Sequence, residues 1–143
     1  MSEMREYTFD ECVIGLKESF QVEIKEKMLE AFKAISGDIN PLHNDADFAK
    51  EQGFEKGRVT YGMLTASFLS TIAGVYLPGK YCLIQEVDIK FAKPVFIGDH
   101  LEISAEVVER NELFKQLTLK VMIKNLDEGT KVLRGKMKVG VLV

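Results

Sequence analysis

An acid and a base lie five positions apart in the first third of the chain. They are Asp38 and His43, in the stretch Ser36-Gly37-Asp38-Ile39-Asn40-Pro41-Leu42-His43. An imidazole exchanges protons near neutral pH, its unperturbed pKa being about 6.5. A carboxylate beside it can take a proton from water when its site is partly dry. Gly37 adopts φ > 0 without steric cost and can close a preceding helix. Pro41 fixes its own φ and turns Asn40 away from the helical region. The segment from Asp38 to His43 is therefore expected to be a bent, stiff loop, braced by Asn40, in which the two side chains converge. Asp45 is expected to cap a short helix starting near Ala46. Residue types alone leave a plainer reading open: Asp38 as a turn residue, and His43 hydrogen-bonded to a backbone carbonyl.

A second chemical feature begins at Thr60-Tyr61-Gly62. From Thr60 to Ala73 the residues Met63, Leu64, Ala66, Phe68, Leu69 and Ile72 leave no charged face. A helix that is apolar all round is expected to be buried all round, and this one is too short to span a bilayer. Gly74 and Pro78-Gly79 are expected to end it. Its first backbone N–H groups lack intrahelical partners, and the helix dipole makes that end positive. Gly62 has no side chain to shield its N–H, so this end can hold a thioester carbonyl oxygen as it gains negative charge. The glycine by itself equally permits close packing of helix against sheet.

The rest of the chain supplies a frame. Phe20, Val22 and Ile24 alternate with polar residues as in a strand. From about Lys25, Met28, Leu29, Phe32 and Ile35 fall at helical spacing, an apolar stripe expected to face the core. A short helical turn around Asp47-Phe48-Ala49 and a Gly-rich loop follow, with Phe54 as an anchor. Alternation returns at Val87–Phe91, Leu101–Val107, Leu117–Ile123 and Leu133–Val141. Turns are expected at Ile97-Gly98-Asp99, Glu109-Arg110-Asn111 and Asp127-Glu128-Gly129. One apolar and one polar face per strand describe an antiparallel sheet covered on one side. An α+β fold in which that sheet curls around the long apolar helix satisfies both elements.

At 143 residues the chain reads as one domain, 1–143, large enough for a real core. A formal net charge of −3 offers no basic footprint for nucleic acid. Nothing approaches a membrane-spanning stretch, and the polar, acidic start is not expected to be a signal peptide. Cys12 and Cys82 are too few and too far apart for a metal site or disulfide framework. They read as reduced thiols in a cytoplasmic protein, Cys82 as a small buried hydrophobe. His100, the other histidine, reads as solvated surface.

The stretch from Phe32 to Asp45 resembles the hydratase signature of the MaoC-like dehydratases, which include the (R)-specific enoyl-CoA hydratases. Tyr61-Gly62-Met63-Leu64, Leu77-Pro78-Gly79 and Lys93-Pro94-Val95-Phe96-Ile97-Gly98-Asp99 match further parts of that family in the right order. The resemblance runs from about Phe20 to the C-terminus and implies the hot-dog fold. It implies that Asp38 and His43 are catalytic and that Gly62 gives the oxyanion contact. Ser70 matches a serine that lines the site, although a hydroxyl bonded back to its own helix is the plainer reading. Tyr61 stands where many relatives have His, and Thr60 where Ala is frequent; both departures bear on pocket shape and acyl preference.

The reaction implied is hydration of a 2-enoyl-CoA to the (R)-3-hydroxyacyl-CoA, or the reverse dehydration, without metal or redox cofactor. An acyl-CoA thioesterase using Asp38, or a non-catalytic acyl-thioester binding module, are the alternatives. Hot-dog relatives pair sheets edge to edge, so at least a homodimer, or a dimer of dimers, is expected.

Overall fold

Alternation of Phe20 and Val22 with polar neighbours produces the first strand, β1 (Lys17–Glu23), whose burial alternates residue by residue. The structure, a computed structural model, describes residues 3–143. The helical spacing that follows produces α1 (Glu26–Ser36), closed by Gly37 at φ 73°, whose N–H bonds the Lys33 carbonyl. Leu29 is buried, but Ile35 is 84% exposed, so the apolar stripe of α1 does not reach the core along its whole length.

The loop expected from Asp38 to His43 is half helical. Pro41–Asn44 forms a single turn, α2, with Pro41 in its first turn and Asn40 as its cap. Proline suits that position because its missing N–H would have no partner there anyway. Asp45 caps α3 (Ala46–Glu51) by accepting the N–H groups of Asp47 and Phe48.

The apolar stretch forms α4 (Gly62–Thr71) and continues as a π-helical turn over Ile72–Tyr76. Gly74 lies inside that turn and does not end the helix; the chain leaves at Leu77-Pro78. Leu64 and Leu69 of α4, with Ile72 and Ala73, pack into the core. The burial is not all round. Met63 is 64% exposed, and Ser67 and Ser70 are exposed too, so one face of α4 has no cover from its own chain.

Four strands follow: β2 (Cys82–Phe91), β3 (His100–Asn111), β4 (Gln116–Asn125) and β5 (Thr130–Val141). β3 runs through the turn expected at Glu109-Arg110-Asn111, and the reversal comes just after it, with Lys115 at φ 48°. The sheet has the order β1-β3-β4-β5-β2 with every pairing antiparallel. Inward residues such as Ile103 on β3, Leu119 and Ile123 on β4 and Met137 on β5 bury against α4 and its π turn. Each such aliphatic side chain contributes about 1.5–3 kcal/mol.

The edge strand β2 is the exception to the one-side-covered pattern. Val87 and Phe91, at 47% and 51% exposed, carry its apolar side into solvent beside the open face of α4. Ahead of β1, Phe9 and Cys12 are buried, and Arg110 donates to both their carbonyls. No helix among the described residues is long and apolar enough to cross a membrane.

Candidate active site

Asp38 begins the site at the end of α1. Its N–H donates to Ser36 Oγ at 3.2 Å, and its Oδ1 accepts the Asn40 N–H at 3.0 Å. This is a local Asx turn that leaves Oδ2 without a hydrogen bond among the described residues. Asn40 braces the next step as expected: its Oδ1 accepts the Leu42 N–H at 2.9 Å. Asn40 therefore shapes the loop and does not line the cavity.

His43 sits half-buried on α2. Its Nδ1 lies 2.7 Å from the Val59 carbonyl oxygen. A carbonyl can only accept, so Nδ1 carries a proton, and the tautomer this contact selects has its lone pair on Nε2. The plainer reading of His43 is thus true of one nitrogen and leaves the other available. Arg58 fixes the backbone beneath it. Its Nε donates to the His43 carbonyl at 2.7 Å, while its Nη atoms reach Glu26 and Glu30 of α1 at 3.3 and 2.9 Å. Val59 N–H to Leu42 O and Thr60 N–H to Val95 O then lead the chain into α4.

α4 has no side-chain cap at its N-terminus, and its first helical bond runs from Thr65 N–H to the Tyr61 carbonyl. The N–H groups of Gly62, Met63 and Leu64 are therefore left without helical partners. A Cβ on Gly62 would lie 3.3 Å from Phe91 Cε1, so the glycine also keeps the ring of β2 close to the helix end. Both readings of Gly62, donor and close packing, hold together in one geometry.

Two pockets meet at His43, Gly62 and Phe91. One, of about 410 Å³, is lined by Asp38 and His43 with Phe32, Tyr61 and Met63. The other, of about 300 Å³, runs past Thr60 and Thr65 toward Pro94 and Val132. Asp38, His43 and Gly62 are brought to one cavity. Ser70 is not: it lies further along α4 on the exposed face. His100 is exposed and pairs with Asp127, whose carboxyl is held below its ordinary range first by the His100 backbone N–H and then by the ring.

Three cavity residues escape a reading by residue type. Phe32 looked like plain core, Phe91 like one more strand residue, and Tyr61 like a variant of the residue before the glycine. Tyr61 is 2% exposed and its ring packs 4.3 Å from that of His43. Its immediate precedence to Gly62 was the available signal.

The model of the MaoC-like domain matches residues 14–129. The chain belongs to the MaoC-like family. This MaoC-like protein is 34% identical over 109 residues to a 3-hydroxybutyryl-CoA dehydratase of Methylorubrum extorquens, covering 76% of this chain and 69% of that one. It is 36% identical over 99 residues to an (R)-specific enoyl-CoA hydratase of Aeromonas caviae, covering 69% and 73%. The unliganded (R)-hydratase PhaJ1 of Pseudomonas aeruginosa superposes with a TM-score of 0.90 at 28% identity, over 98% of this chain and 88% of that one. The (R)-hydratase of A. caviae superposes with a TM-score of 0.85 at 32% identity, over 90% and 96%. The MaoC-like protein has the hot-dog fold of these structures: an antiparallel sheet around a central helix.

Proposed function

We propose that this protein adds water to a trans-2-enoyl-CoA to give the (R)-3-hydroxyacyl-CoA and catalyses the reverse dehydration. One observation carries the reading. The carboxylate of Asp38 and the imidazole of His43 line the cavity onto which the uncapped N-terminus of α4 opens at Gly62. The similarity to the M. extorquens dehydratase and the A. caviae hydratase supports it.

The chemistry follows from the donors and acceptors. Asp38 and the Nε2 lone pair of neutral His43 are both acceptors, so each takes one O–H of a single water. The water's free lone pair then faces the β-carbon of the enoyl group. Asp38 removes a proton as oxygen bonds to that carbon. Electron density moves through the α-carbon onto the thioester oxygen, which accepts a hydrogen bond from the Gly62 N–H. The proton passes to the α-carbon, and the thioester is left intact. Addition and elimination of water are redox-neutral, so the reading calls for no redox cofactor and no metal.

Two copies of the chain complete the molecule in this reading. Val87 and Phe91 on the edge strand β2, and Met63 beside the cavity, are the apolar groups a second copy covers. The unpaired thiols suit a reducing compartment such as the cytoplasm.

The decisive assay uses purified protein and a short trans-2-enoyl-CoA. Loss of the enone absorbance without release of free CoA, and an (R) product on chiral chromatography, are expected. CoA release without hydration would make the protein a thioesterase. Tight binding without either reaction would make it a binding module.

A further inference from the structure

Asp38 and Ile39 both face solvent, Ile39 at 74% exposure, and follow a glycine in the left-handed region. The hydrogen bonds of the Asp38 side chain and N–H reach only two residues away, to Asn40 and Ser36. They shape the turn but do not fix it to the body of the protein. The Asp38 carbonyl does, among the described residues: the Tyr61 hydroxyl, 23 residues further on, donates to it at 2.6 Å, with a longer bond from Asn44 Nδ2 at 3.4 Å.

That phenol is fully used. Its single proton goes to Asp38, and its oxygen accepts from Asn44 Nδ2 at 3.0 Å. Asn44 Nδ2 also donates to the Asn40 carbonyl at 2.8 Å, closing a ring of bonds around the turn. The other end of Tyr61 is equally engaged. Its ring lies 4.3 Å from the His43 ring at 33°, and 5.0 Å from Phe32. One buried side chain at the start of α4 thus touches the main chain of the acid and the ring of the base.

We propose that Tyr61, seated by Asn44, is a positioning residue that sets the separation of Asp38 and His43 and indexes both to the Gly62 N–H. The inference rests on the hydratase reading for its kinetic consequence, but its structural content stands without it. Tyr61 transfers no proton to substrate. It acts through Asp38, because the only hydroxyl proton it owns is spent on the Asp38 carbonyl.

Tyr61→Phe keeps the ring against His43 and removes only the hydroxyl. We expect kcat to fall about 10- to 100-fold with KM within about threefold, the scale for a small misplacement of a reacting group. Asn44→Ala is expected to fall in the same direction and less. Each variant is assayed well below its own melting temperature. In an Asp38→Asn background, Tyr61→Phe is expected to add no further loss, since the group it positions is gone. Amide hydrogen exchange in Tyr61→Phe is expected to rise at residues 37–40 while the sheet stays protected.

Unchanged kcat in Tyr61→Phe, or a full additional loss on top of Asp38→Asn, would overturn the proposal. So would unchanged exchange at residues 37–40. Exchange needs no substrate, so it decides the clamp even if the wild-type protein hydrates no enoyl-CoA.

Discussion

His43 has committed one nitrogen to the Val59 carbonyl, and this determines which face of the acid–base pair a substrate would meet. With Nδ1 donating there, Nε2 is the ring nitrogen left to the cavity, as the proposed sharing of one water between Asp38 and His43 requires. Asp38→Asn and His43→Ala are each expected to lower kcat at least ~100-fold. Melting should stay near wild type, because Asp38 is exposed and His43 half-buried, outside the core; near-normal turnover in either variant would remove it from the mechanism. The cysteines behave oppositely. Burial pushes the thiols of Cys12 and Cys82 up to about 11. At pH 8 both are protonated in the folded chain, so alkylation is expected to be slow natively and fast in denaturant. Between the ordinary thiol value and about 11 the folded chain keeps protons the unfolded chain has lost, so these groups lower stability as pH rises through that window. The Asp38 turn was legible because Gly37, Asn40 and Pro41 act on their own backbone. Tyr61 and Phe91 were not, because what matters in them is a partner brought from 20 or more residues away.

Among the elements, α4 joins core to chemistry. Its buried side anchors in the sheet, and its first turn offers free N–H groups to the cavity. Gly62 is the first helical residue, and Tyr61 before it has ψ 126°, a conformation compatible with a following proline. Gly62→Pro therefore deletes the N–H where a helix tolerates the loss. It is expected to lower kcat about 100- to 1,000-fold, the range for a lost oxyanion donor. Gly62→Ala keeps the N–H and crowds Phe91 at 3.3 Å, so it controls for bulk. Equal losses in the two variants would assign the effect to packing. The sequence made the helix plain, since its apolar run has no competing period. It did not show where the helix stops, because Gly74 is accommodated in a π turn. Nor did it show that Met63, Ser67 and Ser70 lie uncovered, since an apolar surface does not name its cover.

At the scale of the molecule, strand alternation was enough to give an antiparallel sheet with a helix on one side, and the structure has that arrangement. Pairing order was beyond periodicity, and so was the exposure of β2. Long-range hydrogen bonding places it at the edge, where Val87 stays 47% exposed and Phe91, although its ring meets the start of α4 at Gly62, stays 51% exposed. Placing a charge there tests the assembly. If the proposed dimer forms, Val87→Lys is expected to shift it toward monomer in light scattering and to lower activity with it; an active wild-type monomer would refute the proposed assembly.

That bare edge also has a bearing on how the protein should be handled. Where a second copy is part of the folded state, folding and association share one equilibrium, and stability becomes a function of how much protein is present. The melting temperature is then expected to rise with concentration across a dilution series, and Val87→Lys should flatten that dependence. Dilute assays would sample a less stable enzyme than concentrated ones, so rates measured at nanomolar and micromolar protein should be compared only after the subunit equilibrium has been measured.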